Sequence, residues 1–138
     1  MLVRTDLGIG DAVFKPIAAV ATLPAQDIER AKAFYADKLG LTPTEESEQE
    51  VIYTVGDTIF SVFPSFGAPS GGHTQMGFMV EDLEASMKIL RQNGVVFEDY
   101  DLPGLKTVDG IAELATERAA WFRDSEGNVL AMGEPKES

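Results

Sequence analysis

Val20-Ala21-Thr22-Leu23-Pro24-Ala25-Gln26-Asp27-Ile28-Glu29 and Gln75-Met76-Gly77-Phe78-Met79-Val80-Glu81-Asp82-Leu83-Glu84 are two renderings of one pattern. In each, an apolar run that fits a strand ends at an Asp, followed by an apolar residue and a Glu. An Asp at that boundary suits a helix N-cap, because its carboxylate accepts hydrogen bonds from the first amides, which have no partner inside the helix. The Glu two positions on sits favourably at the positive end of the helix dipole. The apolar spacing that follows is helical in both copies: Ile28, Ala31 and Tyr35 in the first, Leu83, Met87 and Leu90 in the second. Gly40 and Gly94 stand where a left-handed residue closes a helix. Asp27 and Asp82 are 55 positions apart and Gly40 and Gly94 are 54 apart, so the copies keep register with one gap.

Strand patterns follow each helix. Val51–Val55 and Thr58–Phe63 flank Gly56-Asp57, a two-residue hairpin turn. In the second copy, 119–123 and 129–132 flank Asp124-Ser125-Glu126-Gly127-Asn128. Gly56 to Gly127 and Pro64 to Pro135 are both 71 apart, which aligns the closing hairpins. A further strand is expected before each hairpin, at about 42–47 and 95–100. The unit is strand, helix, three strands, twice over. Copy 1 covers about 16–65 and copy 2 about 73–135 of a single domain, 1–138. The fold class expected is α+β.

Composition sets the outer bounds. At 138 residues the chain is long enough to bury one real core. It contains no run of eighteen apolar residues, and Met1–Asp6 does not open a signal peptide, so no membrane segment is expected. There is no cysteine, hence no disulfide, thiolate metal site or cysteine nucleophile. Together these features point to the cytoplasm. Eleven basic against 23 acidic residues give a net charge of −12, which disfavours nucleic acid and anionic membranes as partners. The acidity serves solubility on the plain reading, and attracts a cationic small molecule on the sharper one. Gly8-Ile9-Gly10 lacks the third glycine and following helix of a phosphate cradle.

Three stretches carry a family resemblance: ATLPAQDIERAKAFYADKLGL (21–41), FMVEDLEASMKILRQNGV (78–95) and WFRDSEGNVLAM (121–132). In this order and spacing they resemble the vicinal oxygen chelate superfamily of glyoxalases, bleomycin-resistance proteins and extradiol dioxygenases, over roughly residues 16–135. The resemblance implies two βαβββ modules forming a cupped, partly open, barrel-like mixed sheet with helices on the convex face. It also implies a homodimer, since chains of this size in the family usually complete the groove by pairing modules between subunits. Metal-dependent members draw ligands from four strand positions, which carry over to Val20, Gln75, Ala131 and Phe60. Only Gln75 offers a donor there, and a hard divalent cation needs several. No metal or other cofactor is therefore expected.

Alternation along strands then assigns the cup face. His73, Gln75, Gly77 and Met79 are expected inward, with Met76, Phe78 and Val80 under the helix. Val129 and Ala131 are placed inward and Leu130 and Met132 outward, while Phe60 and Val62 line the cup. Trp121 faces the ligand because the family pattern sets Phe122 against the helix. His73, the sole histidine, has a plain structural reading as well as one at the pocket rim. Trp121, Phe60 and Tyr53 would make an electron-rich wall for aromatics or cations. The long segment 100–110 reads as a connector or, at the cup's mouth, a lid.

The function expected is metal-free binding of a small aromatic molecule in the cup, as in bleomycin-resistance members, and a cationic one if the net charge acts as an attractor. The alternative is a lyase or isomerase of the superfamily, either metal-free through His73 or a cup carboxylate, or with a divalent metal on unusual ligands. A third reading is a metabolite sensor or accessory subunit.

Overall fold

A computed structural model describes residues 13–137; the N-terminal reading and Gly8-Ile9-Gly10 lie outside that range. Two mixed sheets carry one helix each. The first half of the chain gives β1 (Ala21–Ala25), α1 (Ile28–Leu39), β2 (Glu45–Glu46), β3 (Val51–Val55) and β4 (Thr58–Pro64). The second gives β5 (Thr74–Met79), α2 (Leu83–Gln92), β6 (Asp101–Leu102), β7 (Leu105–Val108), β8 (Ile111–Glu113), β9 (Glu117–Arg123) and β10 (Val129–Pro135). The sheet orders are β1-β4-β3-β2 and β5-β10-β9-β8-β7-β6, with β1–β4 and β5–β10 parallel and the other pairs antiparallel. The α+β class holds, and neither sheet closes into a barrel.

The repeat folds as its caps dictate. Asp27 and Asp82 have extended backbones, and each side chain accepts the amide three residues on, Arg30 and Ala85, at 3.0 Å. Gly40 closes α1 at φ 70°, which frees its amide to reach the Ala36 carbonyl while Leu41 reaches Tyr35. Each helix buries a narrow stripe, Ala31 and Tyr35 in α1, Leu83 and Met87 in α2. Both stripes enter one continuous core with Leu23, Tyr53, Phe60, Phe122 and Leu130.

Two further features join the halves. Phe60 meets Phe78 edge-on, with ring centroids 5.9 Å apart. The β9–β10 turn also grips α1 and the end of β1. Buried Glu126 accepts the Asp27 amide at 3.0 Å and two guanidinium bonds from Arg30, at 2.8 and 2.9 Å. The Tyr35 hydroxyl donates to Asp124 at 2.7 Å, and the Asn128 amide donates to the Pro24 carbonyl at 3.0 Å. The Arg30 bonds, with those from the Asp27 amide and Ser125, hold the Glu126 carboxyl down to about 2 although its burial opposes this.

The ladder differs from the expected strands at two places. Residues 95–100 form no strand; the chain there runs extended, with the Glu98 amide reaching the Trp121 carbonyl at 2.8 Å. The third strand before the hairpin is instead β8. The segment expected to be a connector or lid folds as β6 and β7, a meander that widens the second sheet. Its turns are set by Gly104 at φ 81° and by Asp109-Gly110, both at positive φ.

Candidate functional site

Strand β9 sorts its side chains strictly by face. Ala120 and Phe122 enter the main core under the helices, whereas Ala119 and Trp121 join a separate cluster with Ala112 and Val129 on the opposite face. On that face lies a groove of about 240 Å³, lined among others by His73, Thr74, Tyr100, Leu105, Trp121 and Arg123. Trp121 is 9% exposed and forms its floor. The indole N–H donates to Thr74 Oγ1 at 3.1 Å, and Tyr100 stands edge-on to the ring at 5.6 Å.

The groove's polar edge is tied together. Arg123 Nε donates to Glu98 Oε2 at 2.6 Å and Nη2 to the Gly71 carbonyl at 3.1 Å. The Tyr100 hydroxyl donates to the other Glu98 oxygen. Partial burial, then that bond to the carboxylate, push the Tyr100 phenol up to about 12, so it is a neutral donor at physiological pH. Tyr100 itself is fixed from behind: its amide donates to Thr107 Oγ1, and the Thr107 hydroxyl also lies within bonding distance of Asp99. His73 is exposed at the rim, with Nδ1 3.0 Å from the Thr74 carbonyl. That carbonyl can only accept, so Nδ1 donates to it, and Nε2 has no partner among the described residues.

Of the residues expected in the cup, the groove brings together Trp121, His73 and Val129. Ala131 packs against the same cluster and pairs with Trp121 across the ladder. Gln75 is half-buried in a bulge, the extra residue between the pairs Thr74–Val129 and Met76–Leu130. Val20, 44% exposed, precedes β1. Met79, at the end of β5, is 66% exposed and borders a different, apolar crevice between the helices, with Leu39 and Ile89.

Phe60 and Tyr53 do not line a cup. They stack on each other at 4.9 Å and pack under α1 against Tyr35, and Val62 lies on the same side. Strand pairing explains the inversion. Gly77 pairs with Ala131 and Thr22 pairs with Ser61, so the counterpart of Ala131 in the first half is Ser61, 70 positions away. Aligning the turn glycines gives 71, and a slip of one residue moves every side chain to the other face. Ser61, Ile52 and the exposed Thr22 and Ile59 occupy the outer face of the first sheet.

Tyr100, Arg123 and Thr74 line the groove without having been expected there, and Glu98 braces it through Tyr100 and Arg123. Arg123 was within reach of the sequence, since it stands two residues from Trp121 on one strand and must share its face. Tyr100 and Glu98 lie in a stretch with no periodicity to read. Among the described residues, no three His, Cys, Asp or Glu side chains are grouped to hold a metal ion. Among the same residues, no helix is long and apolar enough to cross a membrane.

The family model described as Glyoxalase/Bleomycin resistance protein/Dioxygenase superfamily matches residues 17–132. Similar solved structures include TnmS3, an antibiotic binding protein from Streptomyces sp. CB03234, with TM-score 0.65 and 20% identity over 89% of this chain and 100% of that one. The fosfomycin resistance protein FosX from Listeria monocytogenes gives TM-score 0.67 and 10% identity, covering 90% and 94%. A lactoylglutathione lyase from Agrobacterium tumefaciens gives 0.61 and 20%, covering 86% and 94%. No curated protein is similar enough in sequence to match.

Proposed function

The chain belongs to the Glyoxalase/Bleomycin resistance protein/Dioxygenase superfamily, and from that premise we propose that it binds a small aromatic molecule in the groove over Trp121, without a metal. One observation carries this reading: the indole forms the floor of an open groove whose apolar wall includes Tyr100 and Leu105. Aromatic floors and edges of that kind favour flat rings by burial and by edge-to-face contact. The donor set argues against a divalent ion, because Val20, Ala131 and Phe60 offer no side-chain ligand and Gln75 alone offers an amide. Ser61, which the strand pairing substitutes for Phe60, adds only a neutral hydroxyl.

We further propose that a second copy completes the site. The groove is lined by residues between 71 and 129 and falls below the usual ligand-pocket volumes, which run from about 300 Å³ upward. The outer face of the first sheet meanwhile exposes Val20 and Ile59, at 44% and 42%. Apposing that face to the groove of another chain would cover both. An antibiotic-binding relative of the same fold fits a holding role, and a free His73 Nε2 at the rim is the feature that favours the lyase or isomerase alternative.

A thermal-shift screen of aromatic compounds on protein treated with a chelator tests the proposal, since a ligand that binds only the native state raises its melting temperature. Stabilisation should persist in the chelator and disappear in Trp121→Leu. A stoichiometric metal that resists chelation, or stabilisation that vanishes with the metal, would overturn it.

A further inference from the structure

We infer, resting on the Trp121 groove as an aromatic-ligand site, that its ligand is an aromatic anion, with a carboxylate or similar group set against Arg123 and Thr74. At the Arg123 edge of the groove the unspent hydrogen-bonding capacity consists of donors. A guanidinium has five N–H groups. Arg123 uses Nε on Glu98 and one Nη2 hydrogen on Gly71, and its Nη1 has no acceptor among the described residues. Thr74 Oγ1 already accepts the indole N–H, which leaves its own hydrogen to donate.

The carboxylate acceptor, by contrast, is engaged, and the acceptor left open is the exposed His73 Nε2 at the rim. Glu98 is the carboxylate at this edge, and both its oxygens are taken, one by Tyr100 and one by Arg123. A cationic ligand would meet the Arg123 charge with no free counter-ion beside it. The backbone also makes room for the guanidinium. Gly71 adopts φ 71°, and a Cβ there would come within 3.0 Å of Arg123 Nη1. The net charge of −12 does not decide the matter, since such fields are screened beyond about 8–10 Å whereas groove contacts act at bonding distance. A planar fork beside an aromatic floor matches a ring bearing a carboxylate.

Titrations of the intact protein with benzoate, benzamide and benzylamine, followed by Trp121 emission, separate the possibilities, because the three differ mainly in charge. Benzoate should bind about tenfold tighter than benzamide, the scale of one charge-assisted bond. Arg123→Gln should bring the two within about twofold with benzamide little changed, and Arg123→Lys should keep part of the preference. If loss of the Glu98 pair prevents Arg123→Gln from folding, the order of the three probes on the native protein decides alone. Equal affinities, or benzylamine the tightest, would overturn the anion preference and leave aromatic binding standing. No response to any of the three would overturn both.

Discussion

Glu126→Gln should destabilise the protein at neutral pH and much less in acid. The Glu126 side chain is only 1% exposed and holds two guanidinium bonds and the Asp27 amide. Its carboxyl titrates near 2 in the folded state, against an ordinary 4.5. The native state therefore binds fewer protons than the unfolded chain in that interval, so the contribution is complete above about pH 4.5 and fades as the pH falls through 2. A difference of about 2.5 in pKa corresponds to about 3 kcal/mol at pH 7, of which about 1 remains at pH 3. Gln keeps the shape of a protonated carboxyl but cannot ionise. Urea unfolding of both proteins at pH 7 and pH 3, with matched slopes, measures the gap. It should narrow from about 3 to about 1 kcal/mol. A gap of the same size at both pH values would refute the reasoning, because the loss would then come from packing and not from the ionised clasp.

Four more outcomes are expected. Phe122→Ala should cost about 3–5 kcal/mol of stability, since the ring is fully buried in the main core. Trp121→Ala should cost less stability but weaken aromatic binding by about 1–3 kcal/mol, and the reverse order in chemical denaturation and ligand titration would mean the faces of β9 are misassigned. Tyr53→Phe should leave the melting temperature unchanged or raise it, because the buried Tyr53 hydroxyl has no partner among the described residues and its burial pushes the phenol up to about 12. Light scattering at tens of micromolar should give twice the monomer mass; the monomer mass would count against a groove completed by a second copy.

The parts of the fold legible in the sequence were those set by local chemistry. Asp27, Asp82 and Gly40 act through bonds to amides and carbonyls a few residues away, so their spacing alone locates both helices. The faces of β9 and β10 were legible as well, because Phe122 and Trp121 stand side by side and only one can enter the core, whereas the bulge at Gln75 turns Thr74 of β5 toward the groove. The phase of β4 was not, since it depends on which residue of β1 pairs with Ser61, a contact between strands that no turn glycine reports. The meander at 101–113 was hidden for a related reason. Its strands are two to four residues long, too short to show alternation, and are held mainly by pairing with their neighbours. The role of Glu126 was invisible too, since an acid in a turn looks solvated until α1 is brought against it.

The two faces of β9 divide the core from the groove. Ala120 and Phe122 are locked into a core shared by both helices, while Trp121 and Arg123, their immediate neighbours, border an open groove. A substitution at 121 or 123 thus alters what the groove can hold without entering the packing under the helices. The same strand runs directly into the turn that carries Asp124, Glu126 and Asn128, which bind α1 and the end of β1. The groove strand is in this way anchored to the first half of the chain by a buried polar clasp, and its groove face stays clear of that clasp. One fold with such a division leaves room for unlike ligands, because the residues that border the groove are not those that hold it in place.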